Sequence, residues 1–203
     1  LQVAKRAIAW GVALAGQMNG RVTRAVVANA PHPAIFQKLL YTNRHQRLSS
    51  QYMRGFRDTA NDAMVREHGL AGILLQEIKW DRPDAMEPEE RAQLMQDWQD
   101  RDAAFGMLNY YRASPIDVPT MDAPFVVPEG WTPPALPKLT IPTLVIWAED
   151  DIALPPANLD GLTDRPVFVT TYDQHSVWLN RVALDVLGMP QHPYTQLLVQ
   201  AAA

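Results

Sequence analysis

Two kinds of apolar pattern alternate along this chain. Short continuous apolar runs are bounded by glycine, proline or charge, and between them lie long stretches with apolar positions at helical spacing. The first segment, "AIAWGVALAG" with its flanks, reads as a helix from Ala4 to Met18 that ends near Asn19-Gly20. "RVTRAVVANA" (21–30) reads as a short buried strand between Gly20 and Pro31. "PHPAIFQKLLYTNRHQRLSSQYMRGF" then reads as helix, with Ile35, Phe36, Leu39 and Leu40 on one side. The helical pattern persists from about 60 to 113 through "GILLQEI" and "PEERAQLMQDWQDRDAAFGMLNYYRAS", where Glu89 and Glu90 mark a helix start. Residues 114–140 are proline-rich and lack periodicity, so an irregular crossing is expected there. "IPTLVIWAE" (141–149) is the clearest strand and "RPVFVTTY" (165–172) a further one. "WLNRVALDVLGM" (178–189) reads as a closing helix, ended near Gly188 and Pro190.

Buried strands separated by helices predict an α/β fold with a parallel sheet, interrupted by a long helical insertion. In open parallel sheets, ligands bind beyond the carboxyl ends of the strands. "NAPHP", "WAEDD" and "YDQHS" each follow a predicted strand. Three polar clusters are therefore expected along one sheet edge.

Composition narrows the classes. The chain has 203 residues, of which 47% are apolar and 20% charged, the profile of a soluble globular protein. The net charge of -4, without a basic stripe, argues against a nucleic-acid partner. The absence of cysteine excludes disulfides, a thiolate nucleophile and Cys-ligated metal, and it fits a cytoplasmic protein. No apolar run reaches membrane-spanning length. Two readings fit the first segment: Lys5-Arg6 before an apolar run with Ala13-Leu14-Ala15 resembles a signal peptide, and the same residues suit a buried helix. The rest of the pattern favours the helix. His45, His68 and His192 lack metal-ligand spacing with carboxylates, so neither metal nor cofactor is expected. Trp10 and Trp80 read as core, and His32 in "NAPHP" as a structural or pocket-rim residue.

An acid after one strand and a histidine after the next is what a His–Asp pair requires, because the acid orients the imidazole and stabilises its charged form. Asp151 and His175 stand in that relation, with room between them for a loop, a helix and a strand. The spacing alone leaves a helix-capping acid and a structural histidine as open readings.

"RAVVANAPHPAIF", "SQYMRGF", "MLNYYRASP" and "IPTLVIWAEDDIALPP" resemble successive segments of the α/β-hydrolase superfamily. They are most similar to its bacterial soluble epoxide hydrolases, with haloacid and haloalkane dehalogenases as relatives. The resemblance covers roughly residues 7–178. It implies a partial hydrolase core over 1–33 and 137–203, with an inserted helical cap and crossing over 34–136. Asp151 matches the family's charge-relay acid, and Glu149 and Asp150 are turn residues beside it. His175 matches the base, although in "QHSVW" the tryptophan is displaced from the family's pattern, which leaves a surface histidine as the other reading. Tyr52 and Tyr111 match the two cap tyrosines, while Tyr110 packs within the cap or exchanges roles with its neighbour. The chemistry suits the pairing. Epoxide opening generates an alkoxide, and two phenol hydroxyls can bind that oxygen and donate a proton to it.

One role finds no residue. The family's nucleophile turn, small-x-nucleophile-x-small, would fall near Val3 in "LQVAK", and valine cannot attack carbon. The expectation is a portion of a hydrolase that lacks the attacking carboxylate, is inactive alone, and exposes a sheet edge, so that it is marginally stable, aggregates, or pairs with another chain, a second copy included. The expected substrate is a small apolar epoxide or halogenated compound. A dehalogenase-like hydrolase and a non-catalytic binding protein are the alternatives.

Overall fold

The computed structural model describes residues 2–77, 87–134, 138–148, 151–162, 168–170 and 177–179. The chain divides into two compact units, Arg47–Ala123 and Gln2–Gln46 with Pro124–Ala203. Among the described residues no helix is long and apolar enough to cross a membrane.

The sheet-bearing unit begins with helix α1 (Gln2–Met18) and strand β1 (Ala25–Ala28). The chain leaves α1 through Gly20, whose φ of 70° admits the left-handed turn, and the amides of Arg21 and Val22 donate back to the Gly16 carbonyl. The Gln17 side chain clamps α1 to the approach of the next strand. Its amide donates to the Lys138 carbonyl, and its oxygen accepts from the Thr140 and Ile141 amides. Strand β2 (Thr143–Ile146) pairs with β1 in parallel, Ala25 opposite Thr143 and Ala28 opposite Ile146. Val27, Ala30 and Trp10 form the core on one face, with Leu139, Val145 and Leu162 packed against them. The other face is open. Val26 and its cross-strand partner Leu144 are 65% and 57% exposed, and Ile146 is 50% exposed.

Helix α2 (Pro33–Thr42) packs against the short 3-10 turn Pro156–Leu159 of the same unit, and Tyr41 meets Trp131 edge to face at 5.5 Å. The helical unit spans Arg47–Ala123.

Two expectations for the final strands need correction. Val177–Leu179 is a strand rather than the start of a helix, and it pairs antiparallel with Phe168–Thr170. We label these strands β3 (Phe168–Thr170) and β4 (Val177–Leu179). Among the described residues the 165–172 strand thus joins a separate two-stranded pair, and not the parallel sheet. A short run such as Val-Trp-Leu carries no period of its own, and its β-branched and aromatic residues suit a strand. The rest of the expected helix, 180–189, lies outside the described residues, as does Trp80.

The expected long helix after Pro33 is broken into α2, α3 (Arg44–Ser49) and α4 (Tyr52–Arg57). Asn43 makes the first break: its backbone is extended and its side chain accepts from the Gln46 amide, the local bonding that makes asparagine a helix-end residue. The helical unit continues with α5 (Asp62–Glu77), α6 (Pro88–Asp97) and α7 (Arg101–Ala113). Asp58 and Asp100 cap a 3-10 turn and α7 through the Ala60 and Ala103 amides. Gly69 interrupts α5 with φ 67° and ψ -162°, where a Cβ would lie 2.2 Å from the Trp98 carbonyl oxygen. That region of backbone space is essentially restricted to glycine. Met53, Phe56, Val65, Leu70, Ile73, Leu108 and Tyr111 are buried between α4, α5 and α7.

The proline-rich segment from Ser114 to Ala123 forms neither helix nor strand. Its carbonyls still require donors. Arg47 donates to the Ala123 and Thr120 carbonyls at 2.7 and 3.3 Å, Gln51 to Pro119 at 3.0 Å, and Arg54 to Val118 at 2.9 Å. Arg47 is 0% exposed. Burial lowers its guanidinium pKa from the ordinary value, and the charge of Asp117 opposes that shift. Replacing Arg47 by Met should preserve much of the buried stem while removing the donors. The expected loss is about 1.5–3 kcal/mol of stability, the range for charge-assisted hydrogen bonds. Urea unfolding measures the loss, and amide exchange should rise first over 118–123.

Candidate active site

Asp151 lies beyond the carboxyl end of β2, on a loop whose own hydrogen bonds fix it. Its Oδ1 accepts from the Ala153 and Leu154 amides at 2.9 and 3.0 Å. Its Oδ2 accepts from the Asn29 side-chain amide at 2.7 Å. The buried Trp147 indole donates to the Leu154 carbonyl at 3.0 Å and closes the loop from the strand side. On the far side the buried Gln46 amide donates to the Ala153 carbonyl, and Asn158 donates to Gln46 and to Pro155. The loop is thus tied down at both ends, and the carboxylate orientation follows from backbone geometry.

Asn29 is the residue that motif reading passed over. It follows β1, as Asp151 follows β2, and parallel pairing brings the two strand ends together. Its backbone amide extends the ladder to the Ile146 carbonyl at 2.9 Å, and its side-chain oxygen accepts from the Ala148 amide, also at 2.9 Å. Its φ of 43° lies in the left-handed region, which asparagine tolerates better than most residues. An asparagine near the carboxyl end of the predicted strand, at the start of "NAPHP", was the available signal.

His32 stands two residues beyond Ala30 at the start of α2, with its ring edge-to-face on Trp10 at 5.5 Å. Trp10 is itself anchored by its indole donating to the Ala30 carbonyl at 2.7 Å. The His32 Nδ1 is buried and has no hydrogen-bond partner among the described residues, and burial lowers the imidazole pKa from its ordinary value. His175, Glu149 and Asp150 lie outside the described residues.

In the helical unit, Tyr52 and Tyr111 come together. Their ring centroids are 6.1 Å apart at 78°, and Phe56 touches both, at 5.2 Å from Tyr52 and 5.0 Å from Tyr111. Tyr111 is 2% exposed and Tyr52 half-buried. Two arginines lock the helices that carry these rings. Arg57 of α4 donates to the Tyr111 carbonyl of α7 at 2.9 Å, and Arg112 of α7 donates to the Phe56 carbonyl of α4 at 3.3 Å. Arg112 is also ion-paired to Asp62 at the start of α5. Tyr110 is half-buried against Tyr111, and burial raises its hydroxyl pKa. A cleft of about 500 Å³ in this unit is lined by Arg54, Gly55, Arg57, Asp58, Asp117 and Val118, and none of the candidate residues borders it.

No protein-family model and no curated protein matches the chain. Two solved structures do. One is described among novel epoxide hydrolases of the α/β-hydrolase superfamily in metagenomes from hot environments. It is 75% identical, with a TM-score of 0.74, over 79% of this chain and 53% of its own. The other is a mutant of an epoxide hydrolase from Bacillus megaterium, complexed with its product (R)-3-[1]naphthyloxy-propane-1,2-diol. It is 24% identical, with a TM-score of 0.56, over 76% of this chain and 52% of its own, and that likeness concerns the fold alone. The chain spans about half the length of the solved structures it matches.

The lowered pKa of His32 gives a signed expectation. The unfolded chain takes up this proton first as pH falls through about 6.5. Between that value and the lower folded value the unfolded state binds more protons, so stability is present above this window and lost on acidification through it. His32→Phe keeps the edge-to-face packing and removes the titration. Its melting temperature should fall less than that of the parent between about pH 7.5 and pH 5.5. Parallel curves for the two proteins would show that the burial carries no such cost.

Proposed function

Taking the chain as a member of the α/β-hydrolase superfamily, similar to its epoxide hydrolases, we propose that it carries the acid–base and oxygen-binding groups of an enzyme that hydrolyses epoxides to diols through a covalent ester. The observation that carries the reading is the juxtaposition of Tyr52 and Tyr111, two phenols brought together by α4 and α7. A protonated phenol can donate to an epoxide oxygen and give its proton to the far more basic alkoxide. In this reading a carboxylate attacks one epoxide carbon, that carbon's C–O bond breaks, and the oxygen, still held by the other carbon, takes a proton from the tyrosine pair. His175, oriented by Asp151, then takes a proton from water, whose hydroxide attacks the ester carbonyl; the ester C–O bond breaks, the diol and the carboxylate are released, and the proton held on His175 restores the tyrosine pair. The attacking carboxylate is assigned to no residue of this chain.

The helical unit has the part of a cap in this proposal. A small apolar epoxide is the expected substrate, and the cytoplasm the expected compartment. A second reading rests on one observation, the exposure of Val26, Leu144 and Ile146 along one sheet face. That face suits association with another chain, a second copy included. A purely monomeric profile in sedimentation would weigh against it.

The functional test replaces the matching part of the 75%-identical hydrolase with this chain. The chimera should convert styrene oxide to its diol, and the chain alone should not. Asp151→Asn should lower kcat of the chimera by about 100- to 10,000-fold. Tyr52→Phe and Tyr111→Phe should each lower it by roughly 10- to 100-fold. A folded chimera without activity, or full activity in Asp151→Asn, would overturn the proposal. Turnover by the chain alone, lost in Asp151→Asn, would locate a nucleophile among its 203 residues.

A further inference from the structure

We infer that Asn29 is the positioning residue for the Asp151 carboxylate: it fixes which oxygen the loop consumes and which it presents. The inference rests on the reading of Asp151 as the acid that orients His175.

Three bonds define the role. The Asn29 backbone amide reaches Ile146, its side-chain oxygen takes the Ala148 amide, and its side-chain nitrogen donates to Asp151 Oδ2. The orientation of the side-chain amide follows from these neighbours. Turned over, it would set an N–H against the Ala148 N–H and an oxygen against the carboxylate, losing two bonds and adding two repulsions. The loop amides of Ala153 and Leu154 occupy both acceptor directions of Oδ1. Oδ2 accepts from Asn29 and has acceptor capacity for a second donor beside it. An imidazole N–H directed at this carboxylate therefore meets Oδ2.

The residue type matters as much as the place. A carboxylate at position 29 could still accept from Ala148, but it would face Asp151 at the 2.7 Å now spanned by a hydrogen bond. Two carboxylates so close share a proton, and the site loses a fixed charge. An amide donates without titrating, so Asp151 remains the one charge-bearing group of the pair. Glycine would tolerate the left-handed backbone equally well, but it has neither the acceptor nor the donor. Asparagine is thus the residue that serves the backbone turn and the carboxylate together.

The test uses the full chain and the titration midpoint of His175, followed by NMR of the imidazole ring. Removing the charge in Asp151→Asn should lower the midpoint by about one unit or more, the size of an opposite-charge effect at hydrogen-bond range. Asn29→Gly keeps the backbone turn and its bond to Ile146 while deleting the side-chain amide. It should lower the midpoint by at least half as much as Asp151→Asn, with the His32 ring signals unchanged as a control on the fold. Asn29→Ser, which retains a shorter donor, should fall between Asn29→Gly and the parent. A midpoint in Asn29→Gly equal to the parent, with Asp151→Asn shifted, would overturn the role of Asn29 and leave the acid–base reading intact. A midpoint unmoved by Asp151→Asn would overturn the acid–base reading itself, and this inference with it.

Discussion

The parallel pairing of β1 with β2 is the constraint on which the rest depends. Parallel neighbours cannot be joined by a tight turn, and the chain must travel back before it can pair. Here the return comprises everything between Ala28 and Thr143. The entropy of closing so long an excursion rises only slowly with its length, but every ordered residue in it adds its own cost. The excursion therefore has to be stable by its own contacts, and the buried residues between α4, α5 and α7 supply them. The same pairing brings two chain segments out of the sheet at one end. Asn29 and Asp151, remote in sequence, meet because their strands run the same way.

Within the helical unit, arginines do what a sheet or helix would otherwise do. The segment from Ser114 to Ala123 has no helix or strand partner, yet its carbonyls lie beside α3 and α4 and must be satisfied. Guanidinium groups suit this task because each is a rigid fork of donors that stays charged. Arg57 and Arg112 extend the same device to the tyrosines. Each reaches from its own helix to a carbonyl of the other, next to or at a ring-bearing residue. The distance between Tyr52 and Tyr111 is thereby set by backbone ties, and the phenol oxygens have no part in those ties.

The sequence made some of this legible. The strands at 25–28 and 143–146 lie inside the apolar runs that predicted them, but the burial expected of 21–30 holds for one face only, since Val26, Leu144 and Ile146 are exposed on the other. Asp151 was legible as an acid after a strand, and the tyrosines through the resemblance carried by "SQYM" and "NYYR". What escaped was relational. Asn29 reads as an ordinary loop residue until the strands are paired. The roles of Arg57 and Arg112 depend on which helices cross. The break at Asn43 was hidden because apolar spacing continues across it, while the backbone follows the cap. Trp178 and Leu179 were misread because a three-residue strand is too short to show a period, and the stretch after them supplied a helical one. Periodicity reports the face a residue turns to the core; it does not report which segment lies opposite.

The site and the stability of the sheet rest on different forces. Trp10, Val27 and Ala30 cover one face of the β1–β2 pair, while Val26, Leu144 and Ile146 keep the other face open. A parallel pair with one bare apolar face forgoes burial worth about 25 cal/mol per Å², so whatever covers that face governs how firmly the sheet is held. The Asp151 carboxylate is fixed by other means: two loop amides, one asparagine amide and an indole that closes the loop. Each of these bonds joins residues at or just beyond the strand ends, and none involves the side chains of the open face. Covering that face would therefore raise the stability of the sheet without redirecting the acid. The orientation of the carboxylate is already complete in the local chain.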